Sequence, residues 1–141
     1  MLLSSTNKNE KVVLGLLSLN IKNTETDLTA SEILENYRQS EDFELYLYKD
    51  PETDNFVGLL GAEHRFANQE DGKVQETILI NRISVIPSFE DEAIDYQMYK
   101  SLKMMYPQAQ ISGAIQYHTL DQVASFAARY QAENDPSNEE D

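Results

Sequence analysis

The sequence predicts an α/β (α+β) domain built on a mixed, mostly antiparallel twisted sheet, and three observations carry that expectation. Apolar residues recur at helical spacing in some stretches and with period two in others, in the order helix, helix, three strands, helix, strand, helix. Turn chemistry and capping pairs punctuate the stretches. The third strand changes phase part-way along its length. Such an order describes an antiparallel meander joined by a right-handed crossover to a parallel strand.

The elements follow in turn. Lys8 to Asn20 places Val12, Val13, Leu16 and Leu17 on one helical face, although Gly15 and the dense apolar run leave a strand open as an alternative. Thr29 and Glu32 form a capping box, Leu28 and Ile33 a hydrophobic staple, and Ile33, Leu34 and Tyr37 the inner face of the second helix. Phe43, Leu45 and Leu47 alternate with Glu44, Tyr46 and Tyr48, the pattern of a half-buried strand. Asp50-Pro51 and Asp54-Asn55 turn the chain into an apolar strand from Phe56 to His64, and Asp71-Gly72 turns it again. From Val74 to Ile86 the apolar positions are Ile78 and Ile80, then Ile83 and Val85. A two-residue period shifts only when a residue is inserted, so a β-bulge is expected near Asn81-Arg82.

Pro87 stops that strand. Ser88 with Asp91 reads as a cap for a helix running to about Met105, with Ile94, Met98, Leu102 and Met105 as its buried stripe. Ala109, Ile111, Gly113 and Ile115 alternate as a strand. Thr119 and Gln122 cap a last helix, whose inner face is Leu120, Val123, Ala127 and Tyr130. The domain is expected to span residues 1–131, with 132–141 an acidic, disordered tail.

Composition bounds the function. A net charge of −14, with 11 basic residues spread singly, argues against nucleic acid and anionic membranes. The absence of cysteine removes disulfides and thiol nucleophiles and fits a cytoplasmic setting. His118 has one other histidine for company, which gives no metal-ligand spacing.

The element order, with a bulged central strand leading into a helix, resembles the GCN5-related N-acetyltransferases (GNAT). Asn81-Arg82-Ile83-Ser84-Val85-Ile86-Pro87-Ser88 looks like that family's central strand and the start of its cofactor loop. Lys11 to Leu19, Phe43 to Tyr48, and Ile83-Ser84-Val85 with Pro87-Ser88 are similar to the short RibT-type members encoded with riboflavin-synthesis genes. The resemblance, over roughly Lys8 to Gln131, implies acetyl-CoA as donor and a small-molecule or peptide amine as acceptor. It implies that the backbone of Ile83, Ser84 and Val85 faces the acetyl and pantetheine groups. The family usually closes its sheet with two more strands; here either a second copy of the chain supplies that edge, as a homodimer, or the edge is absent.

The cofactor loop departs from the pattern. The family runs Gln or Arg, two residues, Gly, one residue, then Gly or Ala, so that free N–H groups at a helix start meet the pyrophosphate. Here the positions are Glu90, Asp91, Glu92, Ala93, Ile94 and Asp95, four of them acids. Acids in a first turn favour the helix dipole by about 0.3–1 kcal/mol each. The same carboxylates oppose a pyrophosphate by roughly 1 kcal/mol each in near-aqueous dielectric. Two readings follow: a nominal acetyltransferase with weak or lost acetyl-CoA binding, or a degenerate fold kept as a binding module.

Acetyl transfer also needs a base for the amine and often uses a tyrosine on the last helix as the acid. The resemblance puts Ala127 at that tyrosine position, with Tyr130 three residues on as a substitute. Glu63, His64 and Glu76 are the candidate bases.

Overall fold

The computed structural model describes residues 1–22, 28–114 and 119–135. Ile115, His118 and residues 136–141, on which parts of the expectations fall, lie outside the described residues. A five-stranded sheet runs in the order β1 (Leu2–Ser4), β2 (Phe43–Lys49), β3 (Phe56–Asn68), β4 (Val74–Val85) and β5 (Gln110–Gly113). The first three pairings are antiparallel, and β4–β5 is parallel. Helices α1 (Glu10–Lys22) and α2 (Ala30–Arg38) cover one face, and α3 (Ile94–Met105) and α4 (Leu120–Glu133) the other.

Both faces are therefore covered, and this corrects the expectation of a half-buried β2. Leu45 and Leu47 pack under α1 and α2, while Tyr46 packs on the α3 side, 1% exposed. Alternation sorts these residues between two cores rather than between core and water. The first stretch is helical. Its inner residues are Val13, Leu16, Leu17 and Asn20, whereas Val12 turns outward. The capping box on α2 is present in full: Thr29 Oγ1 accepts from Glu32 N, and the Glu32 carboxylate accepts from Thr29 N. Strand β1 has no signal in the sequence.

The bulge lies where the phase change puts it. Gly61 pairs with Arg82 and the next β3 residue, Ala62, pairs with Ile80, so Asn81 is the inserted residue. Ile78 and Ile80 before it and Ile83 and Val85 after it consequently all face the α3–α4 core. Gly61 gives the bulge room on the other face. A Cβ there would approach Tyr37 Cζ within 2.9 Å and its hydroxyl more closely still.

Two helices start differently from the expectation. Pro87–Glu92 is a 3₁₀ segment without a side-chain cap, Ala93 is left-handed at φ 55° and ψ 38°, and α3 begins only at Ile94. Its buried face is Ile94, Tyr96, Met98, Tyr99 and Leu102, with Met105 exposed. On α4 the residues turned inward are Val123, Phe126, Ala127 and Tyr130, while Leu120 points out. Helix α4 also continues through Ala132 and Glu133, two residues expected in the tail. The Tyr96 hydroxyl donates to the Glu133 carboxylate, and Arg129 lies over the Tyr96 ring, which holds that last turn.

Candidate functional site

Strands β4 and β5 pair from Thr77–Gln110 to Ile80–Gly113 and then part. Thr119 ends the ladder. Its hydroxyl donates to Ile80 O at 2.5 Å and accepts from Ala114 N at 2.9 Å, so it is not free to cap α4, contrary to the expectation from sequence. Gly113 is needed at this point because any Cβ would meet the Thr119 backbone. Beyond the parting, Ile86 N donates to Val57 O across β3. By alternation Ser84 and Arg82 also turn their peptide groups to β3, and Ile83 and Val85 turn theirs to the side β5 has left.

An open cavity of about 240 Å³ lies there, lined by Ile83, Ser84, Val85, Glu90, Asp95 and Gln122. Five of these are candidates from the sequence. Gln122 is not, since the sequence marks it only as a capping residue. Asp91 and Glu92 are exposed at the end of the 3₁₀ segment, Ala93 is the left-handed link, and Ile94 is buried against the core. Ser84 Oγ donates to Leu16 O at 2.8 Å and so faces α1. Asn20, also on α1, donates from Nδ2 to Ile83 O at 3.2 Å and accepts from Arg82 Nη1 at 2.8 Å, a buried clamp across the bulge.

The electrostatics of the cavity are those of an acid-lined space. Asp95 Oδ1 accepts from Tyr96 N at 2.8 Å, and its Oδ2 from Gln122 Nε2 at 3.4 Å. An amide that would greet an anion at the start of α3 is therefore taken by the chain's own carboxylate. Among the described residues that line the cavity there is no Lys or Arg.

The other candidates fall elsewhere. His64 and Glu76 meet at 2.9 Å through Nδ1 and Oε1, on the α3 side of the sheet. With the carboxylate accepting from Nδ1, His64 Nε2 accepts from the Tyr46 hydroxyl at 3.0 Å, which in turn contacts the Tyr106 hydroxyl at 3.2 Å. Burial pushes the Tyr46 phenol far up from its ordinary value, with the Tyr106 contact adding to it. Seven residues of β4 separate Glu76 from Ile83, roughly 20 Å at strand rise. Glu63 is on the opposite face, opposite Phe43 of β2, with its carboxylate held by Arg65 at 3.0 Å. Tyr130 packs edge-on against Tyr99, eight residues along α4 from Gln122 or about 12 Å at helix rise.

Comparison with solved structures gives the fold its name. The chain superposes on an acetyltransferase from Vibrio fischeri with a TM-score of 0.59, at 10% identity, over 80% of this chain and 93% of that one. For the aminoglycoside 6′-N-acetyltransferase of Acinetobacter haemolyticus the TM-score is 0.60, at 14% identity, over 93% and 88% of the two chains. A GNAT family acetyltransferase from Staphylococcus aureus also gives 0.60, at 13% identity, over 80% and 83%. The chain has the GNAT acetyltransferase fold. In sequence, it is 29% identical over 102 residues to a Bacillus methanolicus protein named "Uncharacterized N-acetyltransferase in lysA 3'region", covering 72% of this chain and 76% of that protein. No family model matches. The parting of β4 and β5 falls where Thr119 takes the Ile80 carbonyl, and the acids of the cavity come from the 3₁₀ segment and the start of α3.

The GNAT fold implies acetyl-CoA, and this site does not fit its diphosphate. The start of α3 is closed by Asp95, and Glu90 adds a second carboxylate. Among the described residues lining the cavity there is no cation to offset a diphosphate's charge. Among the described residues there is no helix long and apolar enough to cross a membrane and no cluster of three or more His, Asp or Glu that could hold a metal ion.

Proposed function

We propose that this chain is a GNAT-type N-acetyltransferase-like protein of the short RibT-like kind, whose donor, acetyl-CoA, is gripped weakly along β4. The observation that carries this reading is the gap where β5 leaves β4 after Ile80, with the peptide groups of Ile83 and Val85 turned toward it. Backbone contacts there are indifferent to side-chain identity, so they survive the substitutions that damage the loop. The acceptor on this reading is an amine. The similarity to named N-acetyltransferases in sequence and fold supports it.

A second reading, a fold retained as a binding module without transfer, is favoured by one specific observation. Asp95 bonds Tyr96 N and the Gln122 amide, which takes two of the donors a diphosphate could use and sets a carboxylate beside them. Isothermal titration with acetyl-CoA decides between them. The first reading expects weak, saturable binding that perturbs the amides of Ile83, Ser84 and Val85. No binding at millimolar acetyl-CoA leaves the module reading standing.

A further inference from the structure

The cavity where β4 and β5 part meets the two ends of acetyl-CoA with opposite chemistry. Its strand side is neutral. Ile83 and Val85 are partly buried against the α3 core, and their peptide groups turn to the side β5 has left. An arm built of amides and short apolar links pairs with such an edge through main-chain hydrogen bonds, as an added strand would. The side formed by the 3₁₀ segment and α3 is acidic. Glu90 and Asp95 line it, Asp91 and Glu92 are exposed on the same segment as Glu90, and among the described lining residues there is no Lys or Arg. The α3 ladder begins with Gln97 N donating to Ala93 O at 3.0 Å, so Tyr96 N is one of the amides an anion would use. Asp95 Oδ1 already holds it at 2.8 Å. The net charge of −14 supplies no attraction from a distance.

A diphosphate brought here loses roughly fivefold in affinity for each close carboxylate it meets in near-aqueous dielectric. A neutral arm loses nothing. We propose that the thioester this site takes is carried on a pantetheine arm without the nucleotide diphosphate, so that S-acetylpantetheine is a better ligand than acetyl-CoA. The inference rests on the acyl-transfer reading for the thioester and adds a choice of carrier: Glu90 and Asp95 select against the nucleotide end. Their arrangement fits selection better than simple loss. A merely eroded loop would leave the start of α3 open to solvent. Asp95 is instead bonded at both oxygens, to Tyr96 N and to Gln122 Nε2 at 3.4 Å, which fixes its charge in the cavity. A pantetheine arm occurs free or joined to a carrier through one phosphate, and the two sources differ by that phosphate.

The test uses the full chain and three probes, S-acetylpantetheine, its 4′-phosphate and acetyl-CoA, each titrated by backbone amide NMR at low and high ionic strength. The expected result is saturable shifts at Ile83, Ser84 and Val85, with S-acetylpantetheine binding tightest. Salt should strengthen acetyl-CoA binding, by screening the repulsion, and leave the neutral probe unchanged. Glu90→Gln with Asp95→Asn removes both charges and keeps an oxygen to accept from Tyr96 N. It should raise acetyl-CoA affinity by roughly tenfold and leave S-acetylpantetheine within about twofold. The comparison in the wild type stands alone if that variant misfolds. A 4′-phosphate that binds as well as the neutral probe supports the proposal with a carrier-bound arm, and one that binds as weakly as acetyl-CoA supports it with a free arm. Acetyl-CoA binding tighter than S-acetylpantetheine overturns the proposal and leaves the transfer reading intact. Equal affinities at both salt concentrations overturn it too, since the acids then select nothing. No binding by any probe removes the transfer reading and this proposal together.

Discussion

The Asp95 carboxylate caps the backbone of Tyr96, its own neighbour, at 2.8 Å. Helix α3 thus carries its anion with it. The bond stabilises the helix start and sets a carboxylate where a phosphate would approach.

Opening that site should restore anion affinity. Glu90→Arg with Asp95→Gly changes the local charge by three units, worth about 2–3 kcal/mol near a partly exposed phosphate, or roughly a hundredfold in acetyl-CoA affinity. The gain should shrink as salt rises, because much of it is screened Coulomb energy. Titration of wild type and variant at low and high ionic strength checks this. A folded variant with unchanged affinity would shift suspicion from the acids to the β4–β5 gap.

Ala93→Gly should stabilise the protein. At φ 55° an alanine bears a left-handed strain of about 1–2 kcal/mol, part of which glycine returns through its freer unfolded chain. The net expectation is about 0.5–1 kcal/mol, read from denaturant unfolding. Since Ala93 precedes α3, the usual penalty for glycine inside a helix does not apply. A loss of stability would mean that the methyl's packing against the α3 core outweighs the strain.

Glu76→Gln should separate stability from ligand binding. The carboxylate holds His64 and, through it, the Tyr46 and Tyr106 hydroxyls, so the variant should lose about 1 kcal/mol. Lying some 20 Å along β4 from Ile83, roughly seven strand residues, it should leave acetyl-CoA affinity unchanged. A selective loss of affinity or turnover with stability intact would make Glu76 a base again.

The Tyr96–Glu133 contact should show in acid. The Tyr96 hydroxyl, and after it the guanidinium of Arg129, hold the Glu133 carboxyl below its ordinary value. A depressed carboxyl contributes stability above its unfolded value near 4.5 and loses it as pH falls through the lower folded one. Tyr96→Phe should therefore melt lower than wild type at neutral pH, and the difference should close as pH falls through the depressed folded value of Glu133. At the alkaline end the Tyr96 phenol, pushed up to about 12 by burial and then by Glu133, protects the contact until well above its ordinary range. Parallel melting curves at every pH would show that Glu133 does not depend on Tyr96. By the same logic, truncation before Glu133 should lower the melting temperature and truncation after Asn134 should not.

Local chemistry is the legible part of the sequence. Thr29 and Glu32 need only each other, so their box is readable, and the parity switch between Ile80 and Ile83 admits one explanation. What escapes depends on distant partners. Tyr46 reads as a solvent-side residue until α3 is known to cover it. Ser88 and Asp91 look like a cap, but Ala93 breaks the backbone before the helix begins. Thr119 has the right type for a cap and is instead bound to Ile80 O, 39 residues away. Of the site, the β4 segment and the acids are visible. Gln122 is not, because an amide on a helix start carries no signal until Asp95 is placed beside it.

Asn81 has a consequence for how this protein can change over generations. The irregularity of β4 is one surplus residue, so the effect of a change in length here is set by where in the strand it falls. Replacement of Gly61, opposite the bulge, is limited by Tyr37, which any side chain there would meet. Deleting Asn81 would leave Ala62–Ile80, Gly61–Arg82 and Leu60–Ile83 as successive pairs, with Ile83 and Val85 still in the α3 core and Ser84 still toward α1, and so would straighten the strand without changing its register. One codon can thus be lost at the bulge with both faces of the sheet still sorted, whereas losing Ser84 would turn Val85 out of the α3 core.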